Sequence, residues 1–314
     1  MESIPQDLKD LFAGIETTLA KTHPKIRHGW YIAVASTLIA HNQTNALKHL
    51  YTYLVSSGTT KSNDHEDESA TSSRDRPEET VEAYVSRRLR EVCMKIWTIV
   101  GIPKVVTAFV ALGQVEKQGR ASGETEEARA EEVERRRSML ATTSTTTTPS
   151  ALTSRGQAAM HALYLSNLPA ILSAAGSHTS ALTWLEEDII YGLFLSDTGV
   201  LDAVENELVV LPGIVAQDVR PQDVANAAAP AAAQSTPSAS TSKKGEETPA
   251  IVGANSGLQQ PAMWHVRGLI RLGVPREDAV LVLDVVERVA REVGGVEKAV
   301  TDRWIRAQDV YVGE

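Results

Sequence analysis

Apolar residues recur at every third or fourth position over most of the chain, and three polar stretches interrupt that rhythm. From Val81 the positions Val81, Tyr84, Val85, Leu89, Val92, Ile96 and Trp97 follow the period of an amphipathic helix. Between Trp30 and Val55, the residues Ile32, Val34, Ala35, Leu38, Ile39, Leu47, Leu50, Tyr51 and Leu54 predict one long or two short buried helices. Gly101-Ile102-Pro103 ends the helix from Val81 and opens another, because a proline fits a first turn where no N–H partner is needed. That next helix presents Val105, Val106, Phe109, Val110 and Leu112. In the second half, Leu182 to Leu195, Val204 to Gln217 and Met263 to Leu272 read as apolar helices, the last ended by Gly273. Pro275 then precedes a helix with Glu277 and Asp278 in its first turn, where carboxylates complement the positive end of the dipole. On its outer face Asp284 with Arg288, and Glu287 with Arg291, are spaced to pair.

The three interruptions run from about Ser56 to Glu79, Gly119 to Ser154 and Pro221 to Gly257. Each is too poor in apolar surface to offset the entropy of ordering, so each reads as a linker or a disordered insertion. Within the second, the mixture of Glu, Ala and Arg from Glu124 to Arg137 fits a solvated helix. The implied organisation is an N-terminal helical half over 1–118, a polar linker over 119–154 and a C-terminal half over 155–314. Few aromatics and many Ala, Val and Leu favour helices packing on helices, and the expected fold class is all-α. The halves also suggest a degenerate duplication, with Arg90-Glu91 through Gly101 set against Arg276-Glu277 through Gly294.

A formal net charge of -9 with no basic stripe argues against nucleic acid or anionic lipid as partners. No apolar run reaches the roughly 18–20 residues of a membrane helix. The start of the chain, with Glu2, Asp7 and Asp10, lacks the basic look of a targeting peptide, so the expectation is a soluble intracellular, cytoplasmic protein. Cys93 is the single cysteine and stands four residues from both Leu89 and Trp97, which suits a small buried hydrophobe better than a reactive thiol. The histidines show no metal-ligand spacing, and no Gly-rich phosphate loop or G-x-S-x-G elbow occurs.

The most informative stretch is Trp264-His-Val-Arg-Gly-Leu-Ile-Arg-Leu-Gly273, a histidine followed eight residues later by a helix-ending glycine. With it go Glu207-Leu-Val-Val-Leu211, the turn Pro275-Arg276-Glu277-Asp278, and Arg90-Glu91-Val-Cys-Met-Lys95 followed by Gly101-Ile-Pro-Lys104. In these residues the chain resembles the carboxymuconolactone decarboxylase-like family of the alkylhydroperoxidase D-like superfamily. The resemblance covers about half of the chain and implies a helical domain that assembles into homo-oligomers, with a site where a Glu-bearing helix meets a His-bearing one. Redox members place a C-x-x-C pair before the histidine, whereas Leu258 and Pro261 occupy those positions here. Without two thiols the attack on a peroxide and its resolution as a disulfide have no partners.

The resemblance therefore implies decarboxylase- or lyase-type chemistry on a small carboxylate or lactone, with no cofactor and no metal. His265 would be the proton donor or orienter, Glu207 its partner or a second acid, and Trp264 a wall of the substrate pocket. Arg267 lies about 200° round the helix from His265 and is poorly placed as a clamp for the same ligand. Two rivals stand beside this reading: a non-catalytic helical scaffold or assembly subunit, and a peroxidase working through Cys93 with an external thiol.

Overall fold

A computed structural model describes residues 3–58, 79–118, 126–141, 150–218 and 259–294. Among them there is no strand, and the fold is all-α. In chain order the helices are α1 (Gln6–Leu19), α2 (Pro24–Ala40), α3 (Thr44–Ser57), α4 (Val81–Val100), α5 (Ile102–Gln118), α6 (Glu126–Ala141), α7 (Ala151–Tyr164), α8 (Leu168–Ser173) and α9 (Thr179–Trp184). A π-helical segment, Leu185–Leu195, follows, and then α10 (Ala203–Asp218), α11 (Gln259–Arg271) and α12 (Arg276–Gly294). None of the described helices is long and apolar enough to cross a membrane.

Helix α2 is the hub. Its residues from Gly29 to Ala40 are all buried, and it packs against α10, α12, α4 and α3. A helix apolar all round has to be surrounded by other elements, and a single hydrophobic cluster accordingly runs from Leu11 through α2, α4 and α10 to Val289. Local chemistry sets the helix starts. The Thr80 hydroxyl accepts from the Ala83 N–H at 3.2 Å, and the Ser150 hydroxyl accepts from the Thr153 N–H at 3.0 Å. Both satisfy donors that a helix cannot satisfy internally.

Several expectations change on folding. The stretch from Trp30 to Val55 is two helices, broken at His41–Gln43 with Asn42 in the left-handed region at φ 56°. Arg90-Glu91 does not start a helix but sits inside α4, so the proposed repeat with Arg276-Glu277 fails in that register. On α5 the inward face is Val105, Ala108, Leu112 and Val115, whereas Val106 and Val110 join Ile102 as an exposed stripe. On α12, Arg288 pairs with Glu292 at 3.0 Å rather than with Asp284, while Arg291 approaches Glu287 at 3.8 Å.

The polar segments differ from their expected bounds. Helix α3 continues to Ser57, and most of 56–79 and all of 221–257 lie outside the described residues. Within 119–154, Ala151 to Ser154 form the first turn of α7, and Glu126–Ala141 form the expected, largely exposed helix, which is tethered to the rest of the fold through Arg135 and Arg136. Arg136 of α6 donates to Glu91 of α4 at 2.5 Å, and Arg135 donates to Asp197 at 2.5 Å.

Candidate functional site

His265 and Glu207, 58 residues apart on different helices, meet in the core, with Nδ1 of His265 2.8 Å from Oε2 of Glu207. Both are buried, each with 4% of its surface exposed. Gly268, one turn beyond His265, makes this approach possible. A Cβ there would stand 2.6 Å from Cδ2 of Leu163 and 3.3 Å from Oε2 of Glu207, so any larger residue would push α11 away from both neighbours. Gly273, at φ 92°, then ends the turn after α11 in a backbone conformation that disfavours residues with a Cβ.

His265 also lines a partly open cavity of about 210 Å³ bordered by α4, α7, α8, α9, the π-helical segment, α10 and α11. An apolar cavity of about 150 Å³ takes up benzene, so this one admits a ring of that size with a substituent or two. Its walls are mainly apolar, including Ile99, Met160, Ile171, Leu182 and Ile190. Trp264 is part of the wall and stands edge-on to Tyr164, with ring centroids 5.6 Å apart. Glu207 does not line the cavity but lies behind the imidazole. Donor and acceptor in the Nδ1 to Oε2 bond depend on the tautomer of the ring, and the ring itself borders the cavity.

The cavity holds a second carboxyl group that the sequence reading did not identify. Glu186 lines it together with Tyr191, Ile190 and Leu195, all from the π-helical segment. Burial pushes the Glu186 carboxyl above the usual carboxylate range, and the nearby imidazole of His265 partly opposes that shift. Tyr164 and Tyr191 bond to each other through their hydroxyls at 2.6 Å, and burial raises the pKa of both. No arginine or lysine is among the lining residues, and Arg267 lies off the cavity with its Nε buried and unbonded.

The π-helical turn explains why Glu186 escapes a search based on period. A run of apolar and acidic residues, Leu185-Glu-Glu-Asp-Ile-Ile-Tyr-Gly-Leu-Phe-Leu195, has no clear amphipathic face at the α-helical repeat. Wound with i to i+5 bonds, as in Ser196 N–H to Tyr191 C=O at 3.0 Å, it brings residues 186, 190, 191 and 195 to one side. The wide turn fits because α7 offers no side chain at Gly156, where a Cβ would stand 2.0 Å from the carbonyl oxygen of Glu187.

Cys93 is fully buried, and desolvation followed by the charge of Glu116 pushes its thiol up to about 12. It does not line the cavity at His265. Pro261 does line it, and Leu258 lies outside the described residues.

A second polar cluster lies at the other end of the π-helical segment. Lys95, with no exposed surface, donates to the carbonyl oxygens of Phe194 at 2.6 Å and Asp197 at 2.7 Å, and its Nζ is 3.4 Å from Glu91. Arg136 bridges Glu91 and Asp197 at 2.5 and 3.6 Å. Desolvation lowers the Lys95 pKa to about 8 despite its acidic neighbours. Comparison of the chain with models of protein families, with curated proteins and with solved structures gives no match.

Proposed function

We propose that the cavity binds a small lactone or β-keto acid and that His265 moves a proton on it, in a decarboxylase- or lyase-type reaction. The observation that carries this reading is the division of the imidazole between two neighbours: Nδ1 is bonded to Glu207, and the ring borders the cavity. Glu207 acts as a positioning residue. It fixes the tautomer, keeps Nε2 available as a base and stabilises the imidazolium that forms when the base takes a proton.

The surroundings favour a substrate carrying one acidic group rather than several. With no cation in the lining, a carboxyl group entering as the acid and passing its proton to His265 gains an imidazolium as its sole counter-charge. Loss of carbon dioxide then moves that charge onto a carbonyl oxygen, where a hydrogen-bond donor can stabilise it. The rival scaffold reading has the pair buried and bonded to itself, as it is, and what favours chemistry over it is the cavity that His265 borders.

The test is a panel of carboxylated lactones and β-keto acids incubated with the wild type and with His265→Ala, following substrate loss and carbon dioxide release. General base catalysis contributes roughly 10²–10⁴-fold, and a loss of that size is expected in the variant. Equal rates in the two proteins overturn the role of His265.

A further inference from the structure

We propose that Glu186 is the hydrogen-bond donor that recognises a carbonyl oxygen of the molecule bound in this cavity. The inference rests on the acid–base reading of His265 and names the substrate feature that reading leaves open.

Three observations converge on it. Glu186 and His265 border the same cavity from different elements, the π-helical segment and α11, and are close enough to couple electrostatically. The Glu186 side chain makes no hydrogen bond or ion pair within the described residues, unlike Glu187, which accepts from Gln157 at 2.9 Å, and Asp188, which accepts from Thr153. Of the other polar groups around the cavity, Tyr164 and Tyr191 are engaged with each other, and His265 is bonded to Glu207 through Nδ1 alone. The helix α4 brings Thr98, whose hydroxyl donates to the Lys95 carbonyl oxygen at 2.8 Å, and α8 and α9 bring only apolar side chains.

No lysine or arginine faces Glu186 from the lining, and the one group there that can become cationic, His265, is held by Glu207. An apolar wall with no lysine or arginine disfavours the carboxylate and shifts the carboxyl towards its protonated form. A protonated carboxyl in such a place donates a hydrogen bond, and a carbonyl or enolate oxygen is the acceptor it suits.

On a β-keto acid the step balances without a further reactant. His265 holds the proton taken from the substrate carboxyl. The bond to that carboxyl breaks, carbon dioxide leaves, and the electron pair becomes the double bond of an enol as the carbonyl oxygen takes the Glu186 proton. The imidazolium then protonates carbon, the enol proton returns to Glu186, and both side chains end as they began.

The experiment is carboxyl-carbon NMR of the full chain labelled in glutamate, with the Glu186 signal assigned by its loss in Glu186→Gln, titrated with and without δ-valerolactone. The expected midpoint lies above the ordinary glutamate value of about 4.3 and rises further when the lactone is added, because the protonated form binds it. Lactone affinity should fall about tenfold in Glu186→Leu and stay within about threefold in Glu186→Gln, whose amide still donates. A midpoint that the lactone leaves unmoved, or a Glu186→Leu protein that binds it like the wild type, overturns the proposal. A lactone-shifted midpoint in a protein that turns over no member of the panel supports recognition by Glu186 while removing the proton-transfer reading of His265.

Discussion

Two buried polar clusters flank the π-helical segment, and they differ in what their polar atoms face. Around Lys95, the ammonium, the Glu91 carboxylate, the Arg136 guanidinium and the Asp197 carboxylate point at one another and at backbone carbonyls. Around His265, one ring nitrogen is bonded to Glu207, and His265 and Glu186 both border open volume. Burial of charge is therefore no guide to function by itself. The first cluster ties α4, α6 and the end of the π-helical segment together, though Glu91 Oε1 and one terminal nitrogen of Arg136 stay without a hydrogen bond, and the second stands beside a cavity.

The largest stability effect should come from the Lys95 cluster. Replacing Glu91 with Gln leaves two cations, Lys95 and Arg136, without the carboxylate between them. Breaking a buried pair on one side costs roughly 3–5 kcal/mol, and denaturant unfolding should report a loss of that order. Docking of α6 should weaken at the same time, read as faster hydrogen exchange along Glu126–Ala141.

Next comes the pH dependence. The folded pKa of Lys95, about 8, lies below its ordinary value of 10.5, so between those limits the unfolded chain binds the proton and the folded one does not. This group's contribution to stability therefore rises with pH across that window and is lost as pH falls through about 8, by an amount on the order of 3 kcal/mol. Cys93 works in the opposite sense. Its thiol, raised from 9.0 to about 12, contributes stability below pH 9 that is lost as pH rises through the folded value. The difference between the wild type and Lys95→Met, measured from pH 8 to 10.5, isolates the lysine. A difference that does not change with pH would remove Lys95 from the linkage.

The smallest stability effect belongs to the cavity. His265→Gln keeps an amide donor for Glu207 while removing the base, so unfolding should shift by no more than about 1 kcal/mol even as turnover of the panel is lost. Should this variant unfold as readily as Glu91→Gln, the two clusters are alike and the contrast between them collapses.

How much of this was legible in the sequence depends on the kind of signal. The amphipathic faces of α4 and α12 follow the three-and-four spacing closely, and the His265 and Glu207 helices could be marked from Trp264-His265 and Glu207-Leu-Val-Val-Leu211. Helix α1 was missed although Leu11, Phe12, Ile15 and Leu19 carry the same spacing. Helix α6 was read as solvated because its sequence is charged on every side, and local spacing cannot tell that Arg135 and Arg136 find partners 62 and 45 residues away. Lys95 hid in part for the same reason: a lysine is almost never fully buried unless paired, and although Glu91 lies one turn back on α4, the carbonyl oxygens that accept from its ammonium belong to Phe194 and Asp197. Glu186 hid because a π-helical turn changes which residues share a side.

The burial of α2 from Gly29 to Ala40 has a consequence for how the chain reaches its native state. It lies within the first 40 residues, yet elements that cover it, α10 and α12, end at Asp218 and Gly294. During synthesis Trp30, Ile32, Val34 and Leu38 emerge long before their neighbours do, so nascent chains carry an uncovered oily rod until nearly the last helix leaves the ribosome. Contacts so distant in sequence slow the final collapse, and that interval is when chaperone capture and aggregation compete for this polypeptide.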